Sequence, residues 1–146
     1  MQIVTLTWQQ TIPIRHQVLW PTEAPEYCKV EGDETALHVG VMVEDGLVCV
    51  ASIYIEVESK TARLRKFATL AAYQGKGIGT HLIHHLIDIL TKQGVAYFWF
   101  DARASALSFY QRLGFQTSSE VFYKNQVPFY KMHQNLIVKN NLNSPI

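Results

Sequence analysis

Three glycines alternate in Gln74-Gly75-Lys76-Gly77-Ile78-Gly79, between a strand-like segment and one of helical period. Glycine adopts backbone dihedrals closed to other residues, so such a run can turn several N–H groups toward one concavity. A helix starting just beyond adds unpaired N–H groups and its positive dipole end, and Lys76 adds a cation. The chemistry this permits is capture of a phosphate or pyrophosphate. The same glycines also satisfy a plain tight turn from strand to helix. Two familiar nucleotide loops fail on spacing. A Walker-type loop needs GxxxxGK followed by Ser or Thr, and Lys76 precedes the second glycine. A dinucleotide loop opens an early βαβ unit with an acidic residue about 20 positions on, whereas this loop follows a meander of strands.

Other reactive residues are less organised. Cys28 and Cys49 form no CxxC pair; Cys49 reads as a buried thiol in an alternating run, and Cys28 lies in an irregular stretch. Among the six histidines, His81, His84 and His85 could share a helix face, but no zinc spacing results and no metal is expected. Glu56 and Glu58 share a face at the end of an alternating run, as a proton acceptor or as an exposed polar edge. Tyr110, on pattern alone, belongs to the apolar side of a short helix.

The elements that must position these residues follow from periodicity. Gln2 to Thr7 is a strand, and Thr11 to Leu19 a helix capped by Thr11 with Pro13 in its first turn. Thr22 to Asp33 is irregular. Leu37, Val39, Val41 and Val43 alternate, Glu44-Asp45-Gly46 turns, and Leu47 to Val57 alternates back. A third antiparallel strand runs from about Ala62 to Ala71, its alternation broken around Lys66-Phe67-Ala68-Thr69, which predicts a bulge. Gly79 to Gln93 is a helix ended by Gly94. Val95 to Phe100 reads as a strand covered on both faces. A short helix capped by Ser105 carries Ala106, Phe109, Tyr110 and Leu113. Phe115 to Tyr123 and Pro128 to Asn135 are the last strands. The expected fold class is α/β (α+β): one domain over residues 1–139, a mixed sheet with helices on both faces, and a polar tail over 140–146.

Composition sets limits on function. A chain of 146 residues with 48% hydrophobic and 17% charged residues suits one packed domain. Its net charge of +1 gives no reason to expect nucleic acid as a partner. No apolar run approaches the roughly 20 residues of a membrane span. The N-terminus lacks a basic-then-apolar segment, so a cytoplasmic location is expected.

The run from Gln74 to Gly79 resembles the Q/R-x-x-G-x-G/A fingerprint of the GNAT superfamily of N-acetyltransferases. Arg65 to Tyr73 is similar to the strand leading into it, and Ala106-Leu107-Ser108-Phe109-Tyr110-Gln111-Arg112-Leu113-Gly114-Phe115 to the family's A-x-x-x-Y-x-x-x-G-F segment. The likeness runs from the first strand to Met132. It implies that Gln74, Gly75, Lys76, Gly77, Ile78, Gly79 and Thr80 hold the pyrophosphate of acetyl-coenzyme A. Backbone groups of Phe67, Ala68 and Thr69 would bond the pantetheine arm, and an N–H near Ala68 would polarise the thioester carbonyl. The cofactor would enter where this strand and Val95 to Phe100, parallel in the family, splay apart. A neutral amine then attacks directly in a ternary complex, and Tyr110 gives a proton or hydrogen bond to the departing sulfur. Glu56, with Glu58 beside it, would take the amine proton through water. Arg103 stands where many members have asparagine, so that pantetheine contact is not carried over. The implied partner is a primary amine on a small molecule or peptide, and pairing through the last strands offers a route to a homodimer. The other reading is a non-catalytic acyl-coenzyme A-binding or sensor module.

Overall fold

The computed structural model describes residues 1–136; the expected tail over 140–146 and the expected domain end at 139 lie outside them. The chain packs as two compact units. One comprises Met1–Ile55 with Leu64–Ile83, the other Glu56–Arg63 with the chain from His84 onward.

In the first unit, β1 (Gln2–Leu6) leads into α1 (Trp8–Ile14). The cap is Thr7 rather than Thr11. Thr7 Oγ1 accepts from the Gln10 N–H at 3.3 Å while the Thr7 N–H donates to Gln10 Oε1 at 2.8 Å. This reciprocal box satisfies two groups at once. Thr11 lies a turn inside, buried, its hydroxyl donating to the Trp8 carbonyl. Pro13 therefore sits within the helix instead of its first turn. It brings no N–H to the ladder, and the chain continues as a π-helical turn over Arg15–Leu19. A short 3-10 turn, Pro25–Cys28, follows.

β2 (Leu37–Val43) and β3 (Gly46–Glu56) form the expected hairpin, closed by the pair Val43↔Gly46 with Glu44 at φ 57 in the turn. β1 pairs antiparallel with β2. At Gly40 a Cβ would come within 2.9 Å of the Cys49 carbonyl oxygen and also meet the side-chain ends of Leu47 and Leu6, so backbone as well as side chains must shift to admit one. In β3 every residue from Val48 to Ile53 is buried, where alternation predicted one covered face. β4 (Thr61–Thr69) passes through both units. Lys66 within it adopts φ 56, a left-handed break in extended backbone at the place where alternation fails. Ile14, Val50 and Ala68 form a core cluster with Leu6, Val18, Leu19, Leu47 and Leu70 packed on it.

α2 (Ile78–Lys92) buries Leu82, Ile83, Leu86 and Leu90 completely. Each such side chain contributes roughly 1.5–3 kcal/mol. Gly94, at φ 85, lets the Val95 N–H return to the Leu90 carbonyl and closes the helix.

In the second unit, β5 (Tyr97–Arg103) starts later than Val95 and alternates. Phe98, Phe100 and Ala102 are buried, while Tyr97, Trp99 and Asp101 are half-buried, so full cover on both faces is not observed. The polar and amphipathic side chains of that second face explain the difference. β5 pairs parallel with β4 over Thr61↔Tyr97 to Arg63↔Trp99, and antiparallel with β8 (Val127–Asn135) along its length. α3 (Leu107–Arg112) follows a 3-10 turn, Ala104–Ala106. Ser105 lies inside that turn and is not the cap; Ala106 precedes α3 without a side-chain bond. The expected strand from Phe115 to Tyr123 is two short ones, β6 (Gln116–Thr117) and β7 (Phe122–Lys124), both on β8. Between them Ser119 Oγ accepts from the Lys131 N–H at 2.9 Å, replacing a ladder bond by a side-chain one. The strand order is β1-β2-β3-β4-β5-β8-β6, with β7 on β8. The fold is a mixed α/β one, a central mixed sheet flanked by helices.

Candidate active site

The glycine run joins β4 to α2 within the first unit. The Leu70 N–H bonds the Val48 carbonyl at 2.9 Å, a 3-10 turn follows over Ala71–Tyr73, and Gln74 Nε2 reaches back to the Thr69 carbonyl at 3.0 Å. These bonds fix where the loop leaves the sheet. Gly75 and Gly77 then take φ 74 and φ 80, and a Cβ on either would meet no atom within 4 Å. Both glycines thus front open space. The first internal bond of α2 runs from the His81 N–H to the Gly77 carbonyl at 3.0 Å. The N–H groups of Ile78, Gly79 and Thr80 precede that bond at the positive end of a 15-residue helix. Lys76 Nζ stands 5.7 Å from the Tyr73 ring centre. Exposed N–H groups, a helix N-terminus and a cation in one loop can hold a doubly charged phosphate group.

On β4, Ala68 is buried and Phe67 and Thr69 are partly exposed. Thr69 Oγ1 donates to Cys49 Sγ at 3.3 Å; burial of Cys49 outweighs that bond and pushes the thiol up to about 11. Cys28, expected in an irregular stretch, is also fully buried, and burial raises its thiol too. Neither has the depressed pKa that a nucleophilic cysteine requires.

Tyr110 lies on α3, half-buried, with its ring 4.5 Å from Phe100, 5.0 Å from Phe109 and 6.2 Å from Phe115. The helix closes behind it: the Phe115 N–H bonds the Tyr110 carbonyl at 3.1 Å, with Gly114 at φ 95. Aromatic packing therefore sets the direction of the phenol. Glu56 ends β3 and Glu58 lies in the turn after it; both are exposed. Arg103 is exposed at the end of β5. Among the described residues no group of three or more His, Cys, Asp or Glu could hold a metal.

Two polar clusters escaped the reading of the sequence. In the first unit, fully buried Arg15 donates to Asp33 through both terminal nitrogens, at 2.8 and 3.1 Å, and to Ser52 Oγ at 2.8 Å and the Cys28 carbonyl at 3.0 Å. Tyr54 and the Val30 N–H also donate to Asp33. Burial pushes the Asp33 carboxyl up, but these donors outweigh it and hold it at about 2. Burial and the Asp33 bond push the Tyr54 phenol up to about 12. His38 sits between Ser52 Oγ (2.7 Å from Nδ1) and the Asp33 carbonyl (2.8 Å from Nε2). A carbonyl only accepts, so Nε2 carries a proton and donates to Asp33.

In the second unit, Asp101 bonds three cations: Arg63 at 3.1 Å, Lys124 at 2.9 Å and Lys131 at 3.2 Å. Burial acts upward on its carboxyl, but Lys124 and Lys131 outweigh it and lower the pKa. Trp99 lies beside Arg63 and Lys131, at 4.6 and 4.2 Å.

Residues 16–136 match the acetyltransferase (GNAT) domain family. The chain belongs to the GNAT acetyltransferase family. It is 32% identical over 84% of its length to an uncharacterised N-acetyltransferase of Bacillus subtilis, spanning 87% of that protein. A ribosomal protein bS18-alanine N-acetyltransferase of Escherichia coli is 43% identical over 61 residues, which are 40% of this chain and 41% of that enzyme. An N-acetyltransferase structure from Lactobacillus plantarum, 16% identical, superimposes with a TM-score of 0.80 over 93% of this chain and 98% of its own. An aminoglycoside 6'-N-acetyltransferase complexed with coenzyme A, 15% identical, superimposes at 0.77 over 94% of this chain and 98% of its own.

Proposed function

We propose that the protein transfers acetyl from acetyl-coenzyme A to a primary amine by direct attack in a ternary complex. The observation that carries this reading is the loop from Gln74 to Thr80. Its two left-handed glycines front open space, ahead of the leading N–H groups of α2 and beside Lys76. That donor set fits a pyrophosphate: backbone N–H groups and one ammonium, with no carboxylate in the run. Acetyl-coenzyme A supplies an acetyl group activated as a thioester.

This chain's residues do the remaining work. The loop anchors the donor, and backbone N–H groups of Phe67 to Thr69, just past the left-handed residue Lys66, bond its pantetheine arm. An N–H near Ala68 stabilises negative charge as it develops on the carbonyl oxygen. Tyr110 donates its hydroxyl proton to the sulfur as it leaves. Glu56, exposed, accepts the amine proton through solvent. The local identity with the alanine N-acetyltransferase supports an amine as acceptor.

The test is free-thiol release from acetyl-coenzyme A across amino acids, amino-sugars, polyamines and peptide N-termini, with acetylated product identified by mass. Thiol release matched by N-acetylated product supports the reading. Tight binding of acetyl-coenzyme A with no thiol released by any class would point to a sensor instead.

A further inference from the structure

We propose that the acceptor is an amine that also carries an anionic group, a carboxylate or phosphate, held by Lys124 and Lys131. This rests on the acetyl-transfer reading and names the class of its acceptor. Both lysines bond one carboxylate, Asp101, from opposite oxygens, so these two alone exceed its charge by one. An ammonium has three donors and each spends one on Asp101. The lysine side chains remain 47% and 41% exposed while Asp101 is 11% exposed, so the two cations are open to solvent and the carboxylate is largely covered.

The cations are also held in place. Lys131 Nζ lies 4.2 Å from the Trp99 ring centre, and Lys124 Nζ lies 4.8 Å from that of Phe129. An ordinary surface lysine loses side-chain freedom when it takes a ligand; a lysine fixed by a carboxylate and a ring loses less. Position adds to the case. Asp101 stands two residues past the last β4–β5 pair, Arg63↔Trp99, and directly follows Phe100, whose other-face ring packs on Tyr110 at 4.5 Å. A cationic acceptor such as a polyamine would meet surplus like charge here, whereas an acidic one meets its complement.

The experiment measures kcat/KM for thiol release with matched amines: γ-aminobutyrate and its amide, phosphoethanolamine and ethanolamine, and putrescine. An acidic amine should exceed its neutral partner by about tenfold or more, carried by KM, as for a charge-assisted contact. The two pairs separate carboxylate from phosphate. Lys124→Gln with Lys131→Gln should abolish the preference while acetyl-coenzyme A affinity, read by calorimetry, stays within twofold and reports a folded protein. Equal rates within both pairs, a preference for putrescine, or an acid preference surviving the double variant would overturn the proposal. Absence of thiol release with every amine, despite donor binding, would instead overturn the transfer reading on which it rests.

Discussion

At Gly77 a side chain has nothing in the protein to strike, yet the backbone sits at φ 80. Gly77→Val therefore separates two costs. Strain in the left-handed region removes about 1–3 kcal/mol of stability, while the new methyls enter the open space in which we propose the donor is held. Calorimetry on the folded variant should show acetyl-coenzyme A affinity reduced at least tenfold; unchanged affinity would remove the loop from the donor site. Tyr110→Phe keeps the ring contacts with Phe100 and Phe115 and deletes only the hydroxyl. Turnover should fall by roughly 10²–10⁴, the usual share of general acid catalysis, with donor affinity within threefold. Unchanged turnover would exclude proton donation from Tyr110. The glycine turn into α2 was legible in the sequence because positive backbone dihedrals and an adjacent helical period are local signals. Asp101 was not, because its cations lie 38, 23 and 30 residues away.

Among the elements, the irregular segment after α1 is held by the Arg15 cluster. Arg15, Asp33, His38, Ser52 and Tyr54 come from the π-helical turn, the loop before β2, and β2 and β3 themselves. Replacing Asp33 with Asn leaves the Arg15 guanidinium buried without a counter-charge. The expected loss is about 3–5 kcal/mol in chemical denaturation, as for removing one partner of a buried ion pair. A loss below 1 kcal/mol would show that the cluster does not hold the segment. Periodicity located α2 and the β2–β3 hairpin because a long apolar ridge and a short turn are local signals. It misplaced the starts of α1 and α3. Thr7 and Gln10 outcompete Thr11 as a reciprocal pair, and a 3-10 turn absorbs Ser105. The break in β4 was legible, since alternation fails where Lys66 turns left-handed.

For the whole molecule, the same cluster predicts how stability depends on pH. Asp33 titrates at about 2 in the folded chain against an ordinary 3.8, so its depressed pKa stabilises the fold fully above about pH 4. That contribution, about 2 kcal/mol, is lost as pH falls from about 4 toward 2. Tyr54 acts in the opposite sense. Raised from 10.0 to about 12, it contributes fully below pH 10 and loses its contribution as pH rises through 12. Denaturation midpoints should therefore show a shoulder in acid that Asp33→Asn removes, and a second in strong alkali that Tyr54→Phe removes. Midpoints unaltered in shape by both variants would contradict the assignment. The central claim, direct transfer to an amine with both substrates bound, is tested by initial rates of thiol release over a grid of acetyl-coenzyme A and amine concentrations. Double-reciprocal lines should intersect, with no burst of thiol from acetyl-coenzyme A alone; parallel lines, or thiol release independent of amine, would contradict it.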